Sequence, residues 1–249
     1  MTARRVLVTG GARRLGAAIA RAVAAAGHVP VIHYGRSRDE AEALAAELGG
    51  AAVQGDLADI AGLRRLLDRA GDVDSLVNSA SQFDYDSPAA IDPALAARLH
   101  AVNAVAPAVL AAALAERDGA RAVVNLLDQK LANPNPDFFS YTLSKAALAS
   151  ATELMAQAFA PRVRVNAVAP GLTLPSGDQS DAAFDAVARA NLLRRRVGAE
   201  NVAAAVVYLL EAESVTGQTL YVDAGQRFCR SDRDVMFTGG ERSSGHQHG

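Results

Sequence analysis

Short apolar runs alternate with longer stretches of helical period along this chain. Residues 4–8 read as a buried strand. Residues 15–26 carry apolar positions at helical spacing up to Gly27, a residue suited to close a helix. Residues 29–33 form a second apolar run. In 38–48, Glu40, Glu42 and Glu47 fall on one side and Leu44 and Leu48 on the other, and the pattern stops at Gly49-Gly50. A third strand at 51–54 precedes a helical stretch at 60–70. A fourth at 75–78 precedes a long alanine-rich helix at 93–116, which Pro107 is expected to kink or restart. Further strands fall at 122–126, 163–167 and 219–222, with helices at 141–160 and 199–211. This alternation predicts an α/β fold, a single doubly wound domain whose parallel sheet is covered on both faces. The domain is expected over 1–225, with no internal repeat or linker. From Gln226 the chain turns polar, and 226–249 is expected to be a loosely ordered tail.

Composition narrows the function. Half of the 249 residues are apolar, enough for a sizeable core. The balance of 25 Lys+Arg against 27 Asp+Glu argues against binding nucleic acid through bulk charge. A single cysteine, Cys229, excludes a disulfide framework and a multi-cysteine zinc site. His246 and His248 lie in the tail without a third ligand, so no metal is expected. No unbroken apolar run approaches the roughly 18 residues of a membrane span, and the start leads directly into a strand without a signal peptide. The expectation is a cytoplasmic protein with a small-molecule substrate and no nucleic-acid or membrane partner.

Between the first strand and helix lies Thr9-Gly10-Gly11-Ala12-Arg13-Arg14-Leu15-Gly16. Backbone amides of a glycine turn at a helix N-terminus suit phosphate, because they lack partners and meet the positive end of the helix dipole. Glycines in such a turn also serve purely structural ends. The second strand ends His33-Tyr34-Gly35-Arg36-Ser37, with no acid until Asp39 to hold ribose hydroxyls. Arg36 and Ser37 suit a 2′-phosphate, with Arg14 closing over it from the glycine turn, so NADPH is expected rather than NADH. A solvated basic loop is the plainer reading. Asp56-Leu57 follows the third strand, where Asp56 either faces an adenine or caps a helix. Asn78-Ser79-Ala80-Ser81 follows the fourth, and small residues there let a flat ring approach the backbone.

Tyr141 and Lys145 stand four apart and share a helix face. A phenol titrates near 10, and a nearby ammonium draws it toward working range. Together, Thr9–Gly16, Asp56-Leu57, Asn78–Ser81, Asn103, Tyr141–Lys145 and Pro170-Gly171 resemble the short-chain dehydrogenase/reductase family in order and spacing, from Arg5 to about Gly225. The resemblance implies a Rossmann-type domain, NADP(H) as cofactor and a homodimer or homotetramer. It implies Tyr141 as catalytic acid/base, Lys145 as ribose binder and tuner of Tyr141, and Asn103 as support for a proton-relay water. It assigns the cofactor to Gly10, Arg14, Leu15, His33, Tyr34, Arg36, Ser37, Asp56, Leu57, Asn78, Ala80, Ser81, Tyr141, Lys145, Pro170, Gly171 and Leu172.

Two positions depart from the general pattern. Arg14 stands where the family usually has glycine, and Asp128 stands where it has a catalytic serine. With the segment His33–Ser37 and with Phe83, both resemble the pteridine reductase branch, some bacterial members of which reduce dihydromonapterin or dihydrofolate. The implied reaction is hydride transfer to a ring C=N with a proton delivered by Tyr141 and Asp128. The alternative within the family is a carbonyl reductase of the 3-oxoacyl-thioester kind. Phe83 either stacks on the substrate ring or packs its own loop, and Asp128 is either catalytic or a cap. The stretch 172–196 is expected to cover the substrate, with Phe184, Leu192 and Leu193 lining the pocket. Arg194-Arg195-Arg196 reads as a solvated basic run before it reads as a site for an acidic substrate tail.

Overall fold

The computed structural model describes residues 3–175, 181–234 and 237. The apolar runs become strands β1 (Arg5–Val8), β2 (Val29–Tyr34), β3 (Ala51–Gln54), β4 (Ser75–Asn78), β5 (Ala122–Leu126), β6 (Arg164–Pro170) and β7 (Thr219–Val222). They form one parallel sheet in the order β3-β2-β1-β4-β5-β6-β7. The order reverses between β1 and β4, and a crevice opens beyond the carboxyl ends of strands at such a switch point. The helices are α1 (Arg14–Ala25), α2 (Arg38–Glu47), α3 (Leu63–Arg69), α4 (Pro93–His100), α5 (Ala106–Ala115), α6 (Phe139–Phe159), α7 (Asp181–Ala188) and α8 (Ala199–Glu211).

Strand alternation divides the core between two faces. Leu7, Leu76, Val123 and Val165 pack with Leu66, Leu110 and Leu114 on one face. Val6, Val8, Val77, Val124 and Val168 pack with Ile19, Val23, Val202 and Val206 on the other. Helix α1 ends as its sequence suggests. Gly27 has φ +82°, the amide of His28 donates to the carbonyl of Val23, and that of Gly27 to Ala24.

The long helix differs from expectation in its middle. Between α4 and α5 runs a π turn, Ala101–Val105, in which the Ala106 amide donates to the Ala101 carbonyl. Pro107 has no N–H for the carbonyl of Asn103, and the ladder widens instead of breaking. The stretch Pro93–Ala115 is long and apolar enough by composition to cross a membrane, although Arg98 and His100 interrupt it. Three of its four leucines are spent inside the protein: Leu99, Leu110 and Leu114 are fully buried, and Leu95 is partly so.

The tail is the main correction. After β7 the chain makes a short turn at Gln226–Phe228, and residues 229–234 pack back over the end of the sheet. Loose order from Gln226 is therefore wrong for 226–234, because buried charges and hydrogen bonds described below hold this segment. His246 and His248 lie outside the described residues, as do 176–180 in the substrate loop.

Candidate active site

The end of β1 is tied to the end of β4 by Thr9, whose Oγ1 accepts from the amides of Ser79 (3.0 Å) and Ala80 (3.1 Å). Gly10 turns the chain at φ +62°, and a Cβ there would sit 3.0 Å from the Ala80 Cα. A Cβ on Gly16 would sit 2.1 Å from the Gly10 carbonyl oxygen, so the helix meets the turn only because residue 16 has no side chain. His33 braces this turn from β2. Its Nδ1 accepts from the Gly10 amide at 3.1 Å, and its Nε2 faces the Gly55 carbonyl at 3.2 Å. That pattern requires the neutral ring with Nε2 protonated, and burial lowers its pKa to about 4.

A crevice of about 560 Å³ follows, lined among others by Gly10, His33, Arg36, Asp56, Leu57, Ala80 and Ser81. Asp56 lines the crevice and is not a helix cap: its Oδ1 accepts from Ala58 N at 2.9 Å in the turn, and Asp59 caps the helical turn that follows. Three expected cofactor contacts line neither this crevice nor the pocket beside it. Tyr34 follows His33 on the strand, so its side chain falls on the opposite face, buried with Ile32, Ala41 and Leu44. Asn78 is buried inside the sheet, where its Nδ2 donates to Asn125 Oδ1 at 2.8 Å, and Asn125 Nδ2 donates to Thr152. Ser37 occupies the N-cap position of α2 without lining the crevice. Arg14 and Arg36 do not meet either. Arg36 lines this crevice, while the Arg14 guanidinium turns away and donates to the Pro175 carbonyl at 2.5 Å. Arg14 holds φ +53°, the left-handed conformation natural to the glycine it replaces. The second cation at the crevice is Arg69, on α3, which sequence reasoning missed.

Beside this crevice, and sharing Ser81 with it, is a pocket of about 550 Å³. Arg14, Leu15, Phe83, Asp128, Tyr141, Lys145, Pro170, Gly171 and Leu172 line it, so most of the expected site residues do converge. Helix α6 delivers Tyr141 and Lys145. Its first turn is anchored by Asp86, a buried carboxylate accepting from Ser140 N at 2.8 Å and from the Ser140 hydroxyl.

The Tyr141 hydroxyl donates to Asp128 Oδ2 at 2.8 Å. Asp128 Oδ1 accepts from Lys130 N at 2.8 Å, so the capping and catalytic readings of Asp128 are compatible. Lys145 Nζ donates to the Leu126 carbonyl at 2.8 Å and lies 5.8 Å from the centre of the Tyr141 ring. Burial, and then the Asp128 charge, push the Tyr141 pKa well above the usual phenol value. Tyr141 is thus a neutral proton donor, and the expected pull of Lys145 toward phenolate does not prevail. Burial also raises the Asp128 pKa and lowers that of Lys145 to about 8.

Phe83 stacks on Phe138 with centroids 4.1 Å apart and meets Tyr141 edge-on at 4.7 Å. It packs its own loop and lines the pocket together. Asn103 is fully buried in the π turn and does not line the pocket. Its side chain accepts from Gln82 N at 2.8 Å and donates to Ser144 Oγ at 3.0 Å, which makes it a brace between the Gln82 loop and α6. Phe184 lines the pocket as expected. Leu192 and Leu193 instead line a separate groove with Leu220 and Phe228. Arg195 also lies on that groove, and Arg196 pairs with Asp185 at 3.5 Å, so the basic run does not face the pocket. The wall formed by Cys229, Arg230, Ser231, Arg233 and Asp234 was missed. No local pattern announces a segment that returns from so far along the chain.

A seven-stranded parallel sheet, a glycine turn at its switch point and a Tyr141–Lys145 pair on the helix after β5 define a class. The chain belongs to the short-chain dehydrogenase/reductase family, and residues 10–227 match the family model described as enoyl-(acyl carrier protein) reductase. Among solved structures it is similar to FolM alternative dihydrofolate reductase 1 from Brucella canis complexed with NADP, with 43% identity and a TM-score of 0.84 over 93% of this chain and 96% of that one. It is 31% identical to pteridine reductase 1 of Leishmania tarentolae, over 92% of this chain and 98% of that protein. It is also 34% identical to a granaticin polyketide synthase putative ketoacyl reductase 2 of Streptomyces violaceoruber, over 88% and 94%.

Proposed function

We propose that the protein is an NADPH-dependent reductase of a dihydropterin or dihydrofolate. The observation that carries this reading is the Tyr141–Asp128 hydrogen bond of 2.8 Å inside the pocket. The paired crevice and pocket suit an extended dinucleotide, because they share Ser81 and run from the glycine turn at Gly10 to Tyr141 and Lys145. Gly10 and Leu15 would hold the pyrophosphate, Arg36 and Arg69 the 2′-phosphate, Leu57 and Ala80 the adenine, and Lys145 the nicotinamide ribose. Pro170, Gly171 and Leu172 would flank the nicotinamide. Bound there, NADPH supplies the hydride.

The chain's own part is proton delivery and orientation. Tyr141, neutral at working pH, donates its hydroxyl proton to the substrate nitrogen beside the reduced carbon. Asp128, whose burial raises its affinity for protons, takes a proton from solvent and passes it to the Tyr141 oxygen across the shared hydrogen bond, whose direction then reverses. Phe83 offers an aromatic face to a flat ring, fixed in place by Phe138. A carbonyl oxygen gains nothing from an adjacent carboxylate, which disfavours the ketoacyl alternative. Exposed Leu143 and Leu154 on α6 and Leu220 on the edge strand β7 support self-association as a dimer or tetramer.

NADPH oxidation followed by absorbance tests the reading, with dihydromonapterin, dihydrobiopterin, dihydrofolate and an acetoacetyl thioester as substrates. Turnover of at least one pterin is expected. Turnover of the thioester alone overturns the proposal.

A further inference from the structure

Lys130 is a buried lysine two residues beyond Asp128. Its ammonium lies 2.8 Å from Asp234 Oδ2 and 2.6 Å from Asn135 Oδ1, while its backbone amide donates to Asp128 Oδ1 at 2.8 Å. One residue thus grips the C-terminal segment with its side chain and the reacting carboxylate with its main chain. The two segments are fastened at further points. Arg233 Nε and Asp234 N both donate to Asp137 Oδ2, at 2.8 and 2.7 Å, and Asn133 Nδ2 donates to the Cys229 carbonyl at 2.8 Å. Between these fastenings sits Phe138, at φ +53°, with the Lys130 ammonium 5.6 Å from its ring centre and Phe83 stacked against it.

We propose that Asp234 is a positioning residue for the reacting pair, holding Asp128 toward Tyr141, and Phe138 behind Phe83, by its ion pair with Lys130. The inference rests on the reading of Tyr141 and Asp128 as the proton-delivering pair. The physical reason is the burial of Lys130. A buried ammonium that loses its carboxylate has to find water, and the route out moves the main chain that fixes Asp128. The charges facing the pair are Lys130 and Lys145 toward Asp128, and Asp128 and Asp234 toward Tyr141. Removing Asp234 leaves Lys130 uncompensated beside Asp128, which weakens the hold of that carboxyl on a proton and moves the alkaline limb of the rate profile, where Asp128 loses its proton, to lower pH.

The test compares Asp234→Asn, Asp234→Glu, Lys130→Met and the double variant Lys130→Met/Asp234→Asn in the full-length protein. It measures kcat, KM and the pH profile with whichever pterin the wild type turns over, NADPH affinity by fluorescence, and amide hydrogen exchange. Asp234→Asn is expected to lower kcat by about tenfold to a hundredfold, the scale on which a misplaced reacting group slows a step. NADPH affinity stays within about twofold, the alkaline limb shifts down, and faster exchange is confined to residues 128–138. Asp234→Glu recovers part of kcat, and so does the double variant, which carries no stranded ammonium. Wild-type kcat and exchange in Asp234→Asn overturn the proposal. So does a loss spread evenly over NADPH affinity and exchange throughout the sheet, since Asp234 would then support the fold at large. A wild type that reduces no pterin overturns the substrate reading alone, and the exchange measurement still decides the role of Asp234.

Discussion

Replacing Asp128 by asparagine removes one charge from the reacting pair and keeps its shape. The asparagine oxygen can still accept from Lys130 N, which lies 2.8 Å from Oδ1 in the native protein. What changes is the partner of Tyr141, now an amide in place of a carboxylate at 2.8 Å. Hydrogen bonds to charged groups contribute about 1.5–3 kcal/mol and neutral ones about 0.5–1.5, so the exchange costs about 1–2 kcal/mol of proton-transfer geometry and charge. At about 1.4 kcal/mol per tenfold in rate this is roughly 5- to 30-fold. An amide also cannot hold the proton that restores Tyr141, and the whole loss should approach about a hundredfold in kcat, within the range of general acid–base assistance. The assay is NADPH oxidation at saturating dihydropterin from about pH 5 to about pH 9, with NADPH affinity measured beside it to show that binding is intact. Asp128→Ser, which restores the usual family residue, should lose pterin turnover in the same way while thioester reduction stays low or rises. If Asp128→Asn keeps kcat within about threefold at every pH, far short of the usual worth of an acid–base group, the carboxylate is only a cap.

Arg36→Ala should narrow the preference for NADPH over NADH by about tenfold or more, the loss of one charge-assisted contact; equal preference before and after, measured as dissociation constants, would pass the role to Arg69. His33 is held neutral with a pKa of about 4, below its unfolded value of about 6.5. Its contribution is therefore complete above about pH 6.5 and lost as pH falls toward about 4, some 3 kcal/mol in the limit. Urea unfolding should show that loss in the wild type and a flatter profile in His33→Gln, and parallel profiles would refute it. Lys145 has a pKa of about 8, lowered by burial, so its positive charge fades as pH rises through that value. NADPH affinity should then weaken by up to about tenfold per pH unit above it, and a flat fluorescence titration would exclude the ribose role for its charge.

Contacts made within a few residues were legible in the sequence. Tyr141 and Lys145 share a helix face because four residues make about one turn, and the glycine turn is a local string. The residue-by-residue list of cofactor contacts was less so. His33 and Tyr34 both lie at the end of β2, yet a strand sends neighbours to opposite faces, and the motif does not say which one faces the turn. Leu192 and Leu193 are apolar and follow the substrate loop, but their apolarity serves a groove shared with Phe228. The Lys130–Asp234 pair spans 104 residues and carries no periodicity, and its two ends meet only because β7 lies beside β6 at the edge of the sheet. Polar composition suggested a loose tail, whereas the buried Lys130–Asp234 pair and the grip of Arg233 on buried Asp137 outweigh composition there.

Asp86 sets the rotational phase of a 21-residue helix from 54 residues away. It stands three residues after Phe83, in the same loop. The ring offered to the substrate and the origin from which the tyrosine is measured are thus graduated on one short ruler. Lengthening the loop between 83 and 86 would dial the tyrosine and the ring out of step. The stretch 87–91, which lies beyond the anchor and ahead of the Asp92 cap on α4, is where descendants of this scaffold, natural or engineered, are free to vary.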